Sequence, residues 1–170
     1  MKLIFMRHAE AIERSPGIPD EKRYLTTEGR VFTRKTSRTV LKNSVEPDLI
    51  LTSPLLRAVQ TAEILAGTIS FIGPLIVTDE LAPGLDMAGL ERIIGSYRSV
   101  DELVLVGHEP DFSNLVSGLL GLQSGFDFRK GSAVKLTVTT KHAPYASRFK
   151  WFAVGRKIIR SRKEAFISDH

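Results

Sequence analysis

Four short apolar runs, each bounded by charged or turn-forming residues, predict four buried strands. They cover residues 2–6, 48–52, 75–77 and 103–106. Runs of this length favour strands over helices, because a helix needs about ten or more residues to build an apolar face.

Longer segments of mixed polarity lie between these runs and predict helices. Their predicted bounds are 26–43, 54–65, 88–97 and 110–120. Thr26 or Thr27 would cap the first of these helices. In the second, Ser53 would be the cap and Pro54 the first helical residue, the position where proline fits best.

The last part of the chain has a different pattern. Residues 133–139 and 147–154 predict two β-segments in a hairpin-like arrangement, whereas the proline-containing, charged residues 14–23 predict a surface loop. Strands that alternate with helices and end in a hairpin are typical of an α/β fold. We therefore expect a three-layer α/β/α sandwich with a mostly parallel mixed sheet, and a single domain over residues 1–170.

Composition narrows the class of protein. The chain has 170 residues, of which 42% are hydrophobic and 25% charged, and it has no cysteine. The absence of cysteine excludes disulfides, thiolate metal sites and cysteine nucleophiles. No apolar run approaches the ~20 residues of a membrane span, and the N-terminus lacks the apolar core of a signal peptide. These features predict a cytoplasmic protein with no membrane partner.

The net charge of +5 and the pI of about 9.6 raise the question of a nucleic-acid partner. The basic residues lie in the tail 156–163 and along the helix around 27–42, without a recognisable DNA- or RNA-binding motif. A nucleic-acid role is therefore disfavoured and is kept only as a secondary idea for the tail, with salt-dependent binding as its signature.

Candidate chemistry lies where the predicted strands end. Arg7 and His8 follow the first strand, residues 53–57 follow the second, Glu80 follows the third and His108 follows the fourth. Ligands of open α/β sheets bind at these carboxyl ends. If the first and fourth strands are neighbours, both imidazoles face one crevice. His142 and His170 carry no motif and are expected to be exposed.

Two arginines and two histidines together suit phosphoryl transfer. A guanidinium fits phosphate oxygens and stays charged at physiological pH, and a neutral imidazole is a competent nucleophile, while a second imidazole can stabilise developing charge. This chemistry needs no metal and no cofactor. A metal site is the main rival for the same histidines, but Arg7 directly beside His8 would repel a cation. The other alternative is that these histidines merely pack at the strand ends.

At this point the motifs resemble those of the histidine phosphatase superfamily, which has the phosphoglycerate mutase-like fold. The matching segments are residues 7–10 (Arg-His-Ala-Glu), 25–29 (Leu-Thr-Thr-Glu-Gly), 53–58 (Ser-Pro-Leu-Leu-Arg-Ala), 60–62 (Gln-Thr-Ala) and 107–110 (Gly-His-Glu-Pro). Each motif is weak alone, but their order and their positions at strand ends make the set specific.

The resemblance implies a role for each matching residue. His8 would be the nucleophile that is phosphorylated, Arg7 and Arg57 would bind the phosphoryl oxygens, His108 would complete the pocket and Glu80 would be the proton donor. These roles make the protein a metal-independent phosphatase whose pocket accepts phosphate or another oxyanion.

Three positions leave alternatives open. Asp86 or Asp111 could replace Glu80 as the proton donor, and Ser53 is expected to cap its helix rather than touch substrate. Ala9 stands where the family's commonest form has glycine, a change that would cost about 1 kcal/mol if the position required a positive φ.

The length of the chain favours the small members of this superfamily, which lack a helical lid. The short interval between Arg57 and Glu80 leaves no room for the helical lid that larger members carry, so the site is expected to be open. The protein looks most like the SixA type of phosphohistidine phosphatase, whose substrate would be a phosphorylated protein such as a histidine phosphotransfer domain. The alternative is a broad-specificity small-molecule phosphomonoesterase of the same fold. A mutase is disfavoured because it needs an enclosed site, and a non-catalytic module because all four pocket residues are present.

Overall fold

The computed structural model describes residues 1–123, 126–139 and 145–166, and within them seven strands form one open mixed sheet. The strands are β1 (Lys2–Arg7), β2 (Leu49–Thr52), β3 (Leu75–Val77), β4 (Glu102–Gly107), β5 (Ala133–Val138), β6 (Ser147–Val154) and β7 (Lys157–Ile159). Their order across the sheet is β3-β2-β4-β1-β5-β6-β7. The first four are parallel to one another, and β5, β6 and β7 pair antiparallel.

Five α-helices accompany the sheet within the described residues. They are α1 (Thr27–Leu41), α2 (Leu56–Thr68), α3 (Met87–Ser96), α4 (Asp111–Leu120) and α5 (Arg162–Phe166). Thr26 caps α1 through its side chain, which accepts a hydrogen bond from the Gly29 N–H at 2.9 Å. Asp86 caps α3 in the same way, accepting from the Gly89 N–H at 2.8 Å.

Alternate residues of the central strands point to opposite faces of the sheet, and each face carries its own helices. Leu3 and Phe5 of β1 pack with α3 and α4, whereas Ile4 and Met6 pack with α1 and α2. All four side chains are fully buried. A strand covered on both faces must be apolar throughout, which explains the uninterrupted apolar run at the N-terminus. The predicted three-layer α/β/α architecture is confirmed.

The strand order creates a crevice between β1 and β4. The chain leaves β1, crosses one face of the sheet and enters β2 on the far side of β4, whereas β5 pairs with the other edge of β1. Connections that diverge from adjacent parallel strands open a cleft at their carboxyl ends, the usual place for a ligand. Arg7 and Gly107 are register partners at this point, and the His8 N–H donates to the Gly107 carbonyl at 3.0 Å.

Two parts of the sequence prediction need correction. Helix α2 begins at Leu56, so Pro54 is not its first helical residue and Ser53 is not its cap; the Ser53 hydroxyl is instead held by His108 at 2.7 Å. The basic tail 156–163, to which no element was assigned, contains β7 and the first residues of α5. Its short β7 was missed because three residues carry too little periodicity to predict a strand.

Two further points complete the description. His142 and His170, expected to be exposed, lie outside the described residues. None of the helices in the described part of the chain has the length and apolar character that a membrane span requires.

Candidate active site

His8 directly follows β1, and its hydrogen bonds fix which ring nitrogen carries the proton. Arg57 Nε donates to His8 Nε2 at 3.3 Å. A guanidinium nitrogen can only donate, so Nε2 is the unprotonated nitrogen and Nδ1–H donates to the Ala9 carbonyl at 2.7 Å. The lone pair of Nε2 is therefore directed toward the cationic side of the crevice.

The imidazole of His8 is neutral at physiological pH. Burial lowers its pKa from 6.5 to about 3, against an opposing contribution from the hydrogen bond to Ala9 and with further lowering by His108, Arg57 and Arg7. A cationic imidazole would be both desolvated and repelled there. The lone pair of Nε2 is thus available without the help of a general base.

Arg57 lies in the first turn of α2 and is buried. Two residues in the next turn of α2, Gln60 and Thr61, accept hydrogen bonds from the loop that connects β1 to α1. Thr61 Oγ1 accepts from the Ala9 N–H at 3.3 Å, and Gln60 Oε1 accepts from the Leu25 N–H at 2.8 Å. These bonds hold the first turn of α2 against the end of β1, which explains why Gln and Thr accompany the arginine in its motif.

Asp20 is a site residue that the sequence analysis missed. Arg57 Nη1 donates to the Asp20 carbonyl at 2.8 Å and Nη2 donates to its Oδ2 at 3.0 Å. The same carboxylate also binds Arg23 at 2.9 Å and Arg14 at 3.3 Å. Its hydrogen bonds to Arg23 and Arg57 lower the pKa of Asp20 to about 2, in spite of opposing burial. The surface loop thus folds onto the site, and a composition of prolines and charges gives no signal for that contact.

Arg7, the last residue of β1, has one N–H group without a hydrogen-bond partner in the protein. Its Nη1 donates to the Phe128 carbonyl at 2.6 Å, whereas Nε is buried and has no hydrogen-bond partner. Burial lowers the pKa of Arg7, with Glu109 and Asp127 acting in the opposite direction. A buried N–H without an acceptor is costly, and an oxyanion in the crevice would satisfy it.

His108 follows β4 and faces His8. The two ring centroids lie 5.2 Å apart at an interplanar angle of 58°. His108 Nε2 lies 2.7 Å from Ser53 Oγ, which also accepts from the Leu55 N–H at 3.3 Å. Burial, assisted mainly by the charge of Arg57, lowers the pKa of His108 to about 4, so this ring is neutral as well.

The candidate proton donors have different environments. Glu80 is exposed in the 3₁₀ turn after β3, and its backbone N–H donates to Thr78 Oγ1 at 3.3 Å. Asp86 caps α3, and Asp111 Oδ2 accepts from the Gly84 and Leu85 N–H groups at 2.8 and 3.2 Å. The two aspartates are therefore engaged in local structure, whereas the carboxylate of Glu80 faces solvent.

Glu109 is a second carboxyl group that the sequence analysis did not single out. Burial raises its pKa, against opposing hydrogen bonds from Ser113, and its Oε1 accepts from the Ser113 N–H at 2.9 Å in the first turn of α4. It also lies within electrostatic reach of Arg7. Its position directly after His108 was the only signal in the sequence.

Alanine at position 9 introduces no backbone strain. Among the described residues, the non-glycine positions with positive φ are Ser44 and Ser70. Ala9 is fully buried and has an ordinary backbone conformation, so alanine replaces glycine here without strain.

Two guanidinium groups and two neutral imidazoles thus lie at the carboxyl ends of adjacent strands, an arrangement whose charge and hydrogen-bond donors suit an oxyanion. Within residues 1–123, 126–139 and 145–166, no group of three or more His, Asp or Glu side chains is placed to hold a metal ion.

Comparison with known proteins agrees with this geometry. Residues 3–83 match the family model of the histidine phosphatase superfamily (branch 1). The chain belongs to the histidine phosphatase superfamily. An uncharacterised protein of Picosynechococcus sp. is 39% identical over 130 residues, which are 74% of this chain and 76% of that protein.

Solved structures share the superfamily fold. The protein histidine phosphatase SixA, complexed with tungstate, has a TM-score of 0.81 at 24% identity, with 91% of this chain and 97% of that chain covered. A mycobacterial glucosyl-3-phosphoglycerate phosphatase, in complex with VO3, has a TM-score of 0.64 at 19% identity, with 87% and 96% covered. The fold is therefore common to a protein histidine phosphatase and to a phosphatase named for a small phosphate ester, glucosyl-3-phosphoglycerate.

Proposed function

We propose that the protein is a phosphohistidine phosphatase that removes phosphate from a phosphorylated histidine of a protein partner. The observation on which the proposal rests is the unprotonated Nε2 of His8, which lies 3.3 Å from Arg57 Nε; the neighbouring Arg7 has a buried Nε–H without a hydrogen-bond partner. The SixA neighbour is complexed with tungstate, a tetrahedral oxyanion, and this supports an oxyanion in the corresponding crevice.

The reaction would proceed in two steps. In the first, His8 Nε2 attacks phosphorus and forms a new P–N bond, while the P–N bond to the substrate imidazole breaks. The electron pair of that bond returns to the substrate ring, which leaves as a neutral imidazole because its other nitrogen carries a proton. Arg7 and Arg57 bind the phosphoryl oxygens and balance their charge. In the second, water attacks phosphorus, orthophosphate leaves, and His8 returns to its neutral form. The Nδ1–H bond to the Ala9 carbonyl holds the ring in the reactive tautomer throughout.

His108 would assist from the opposite side of the phosphoryl group. The Ser53 hydroxyl has one proton, which it can donate to His108 Nε2 while its oxygen accepts from the Leu55 N–H. That arrangement leaves the proton of His108 on Nδ1, where it is a donor for a phosphoryl oxygen. As a neutral hydrogen-bond donor, His108 would stabilise the negative charge on the phosphoryl oxygens without transferring its proton.

Glu80 would supply the proton to leaving groups that need one. General acid catalysis contributes about 10²–10⁴-fold, but an imidazole leaves more readily than an alkoxide. We expect Glu80→Gln to lower hydrolysis of an alkyl phosphate about a hundredfold and that of phosphohistidine less than tenfold. Asp79→Asn, on the same exposed turn, is the control. Equal losses for both substrates would exclude Glu80 as the acid.

An open site favours a protein substrate. Between Arg57 and Glu80 the chain contains only the rest of α2, a short loop and β3, so this interval provides no helical lid. A phosphorylated side chain on another protein could reach the crevice, whereas a sugar phosphate would be poorly enclosed.

The test is dephosphorylation of a labelled histidine phosphotransfer domain. The protein should release orthophosphate and pass through a phosphorylated form that is stable in base and labile in acid, as expected for phosphohistidine. His8→Ala should abolish both. Label loss at the same rate with His8→Ala would refute the proposal.

A small-molecule phosphomonoesterase is the second candidate, because a fold neighbour acts on glucosyl-3-phosphoglycerate. Comparison of kcat/KM for the phosphorylated domain and for a panel of sugar phosphates separates the two. Values for a sugar phosphate equal to or above those for the domain would favour this candidate.

A further inference from the structure

A cavity of about 280 Å³ lies between the second half of α1 and β7, away from the residues of the candidate active site. Its lining residues are Lys35, Arg38, Thr39, Lys42, Asn43, Arg156 and Ile158. Four of these seven side chains are cationic and none is acidic. We call this feature the basic cavity.

The charges of the basic cavity are not neutralised by the protein. Within the described part of the chain, none of its four cations takes part in an ion pair. Lys35, Arg38 and Lys42 are spaced three and four residues apart on α1, so their side chains are neighbours on one helix face. Like charges at this spacing destabilise a helix, and a bound anion would remove that repulsion.

Hydrogen bonds fix the two walls of the basic cavity relative to each other. Thr39 Oγ1 donates to the Gly155 carbonyl at 2.7 Å, and the Gly155 N–H donates to Thr36 Oγ1 at 3.0 Å. Arg160, after β7, donates to Asn43 Oδ1. The backbone segments that carry the four cations are thus fixed relative to each other before any ligand arrives, which lowers the entropic cost of binding.

We propose that the basic cavity binds a polyphosphate chain, either inorganic or the triphosphate of a nucleotide. Lys35 on α1 and Lys42 at its C-cap are separated by about 10 Å along the helix axis, at 1.5 Å per residue, a span that a chain of phosphates matches better than a single phosphate does. The volume is near the lower limit for small-ligand pockets. A concave site with Arg156 on its second wall suits a compact multivalent anion better than the smooth surface of a duplex.

Isothermal titration with inorganic triphosphate tests the proposal. The Arg57→Ala variant is used as the parent, because it weakens anion binding in the active site and leaves the basic cavity unchanged. At about 0.15 M salt, where long-range attraction is screened, we expect saturable binding with one site per chain. Arg38→Glu and, from the other wall, Arg156→Glu should each weaken binding at least tenfold.

Arg98→Glu is the matched control, since Arg98 is also exposed, forms no ion pair in the described residues and lies outside the cavity. It changes the net charge equally and should alter affinity less than twofold. Thermal unfolding checks that each variant is folded, and in the wild-type background Arg38→Glu should keep full phosphatase activity.

A parallel titration with ATP distinguishes the two sources of a polyphosphate chain. Tighter binding of ATP than of triphosphate identifies a nucleotide as the ligand, and equal binding identifies the phosphate chain alone.

Three results would overturn the proposal. They are the absence of saturable triphosphate binding, an equal loss of affinity in Arg98→Glu, and binding of duplex DNA that depends on Arg38 and Arg156 and that triphosphate does not displace. The last result would assign the face to nucleic acid instead.

Discussion

Single residues set the protonation state of the candidate site. Both imidazoles are desolvated beside guanidinium groups, His108 buried and His8 partly buried, so the pKa values of His8 and His108 fall to about 3 and about 4. Titration of the ring protons by NMR should give midpoints below pH 5 for both residues in the anion-free protein. Midpoints near 6.5, the ordinary value, would contradict the burial of the two rings.

The same shift makes stability depend on pH. As the pH falls below about 6.5, the unfolded chain binds a proton at His8, while the folded protein does so only near pH 3. The unfolded state therefore binds more protons in this window, and the free energy of unfolding decreases as the pH falls through it. Denaturant titrations between pH 4 and 7 should show a weaker decrease for His8→Gln than for the wild type.

Asp20 is predicted to position Arg57. Asp20→Asn removes the charge that holds Nη2 and leaves the backbone acceptor for Nη1. Small displacements of a positioning group can cost up to about a hundredfold in rate, so we expect kcat to fall about tenfold or more. Because the variant also makes the crevice more cationic, inhibition by orthophosphate should become stronger.

Glu21→Gln provides the comparison for Asp20, since Glu21 is an exposed acid in the same turn. An unchanged kcat in Asp20→Asn, or an equal change in both variants, would show that the carboxylate does not position Arg57.

At the scale of elements, two helical glycines should respond in opposite ways to alanine. A Cβ at Gly29 of α1 would lie 2.2 Å from the Glu10 carbonyl oxygen, whereas a Cβ at Gly67 of α2 meets nothing within 4 Å. Gly29→Ala should therefore destabilise the protein by about 1–3 kcal/mol, and Gly67→Ala should stabilise it by about 0.5–1 kcal/mol. Chemical denaturation measures both, and the same sign for the two variants would contradict the close approach of α1 to Glu10.

The elements themselves were largely predictable from local patterns. The strand predicted at 147–154 has those bounds, and Thr26 caps α1 as expected. Helix α2 begins two residues later than the Ser-Pro signal indicated, because the Ser53 hydroxyl is bound to a histidine from a distant strand. A cap signal can be overridden whenever its side chain finds a tertiary partner.

At the scale of the whole molecule, a buried ion pair joins the parallel and antiparallel halves of the sheet. Lys135 Nζ of β5 lies 2.9 Å from Glu102 Oε1 of β4, and both side chains are almost fully buried. Lys2 binds the other carboxylate oxygen at 3.3 Å but is half exposed. Loss of Lys135 leaves the buried carboxylate of Glu102 with only the half-exposed Lys2 as its partner, so Lys135→Met should destabilise the protein by about 3 kcal/mol.

Lys2→Met should cost less than about 1 kcal/mol, because exposed ion pairs contribute little. The double variant Lys135→Met/Glu102→Leu should be more stable than Lys135→Met alone, since it removes both buried charges. Denaturant unfolding of the three variants checks this order, and equal effects of Lys2→Met and Lys135→Met would contradict it.

Local sequence patterns were enough to predict the alternation of strands and helices and the four candidate residues at the strand ends. Apolar periodicity is a local property, and motifs such as Arg-His and Gly-His are local in the same sense. The insertion of β4 between β2 and β1 is a property of the tertiary structure. It places the ring centroids of His8 and His108 5.2 Å apart.

Tertiary structure also decided the tautomer of His8, the binding of Asp20 to Arg57, and the joining of α1 and β7 around the basic cavity. In each case the partners are far apart along the chain. Their contact depends on how the connections cross the sheet, which no pattern of neighbouring residues encodes.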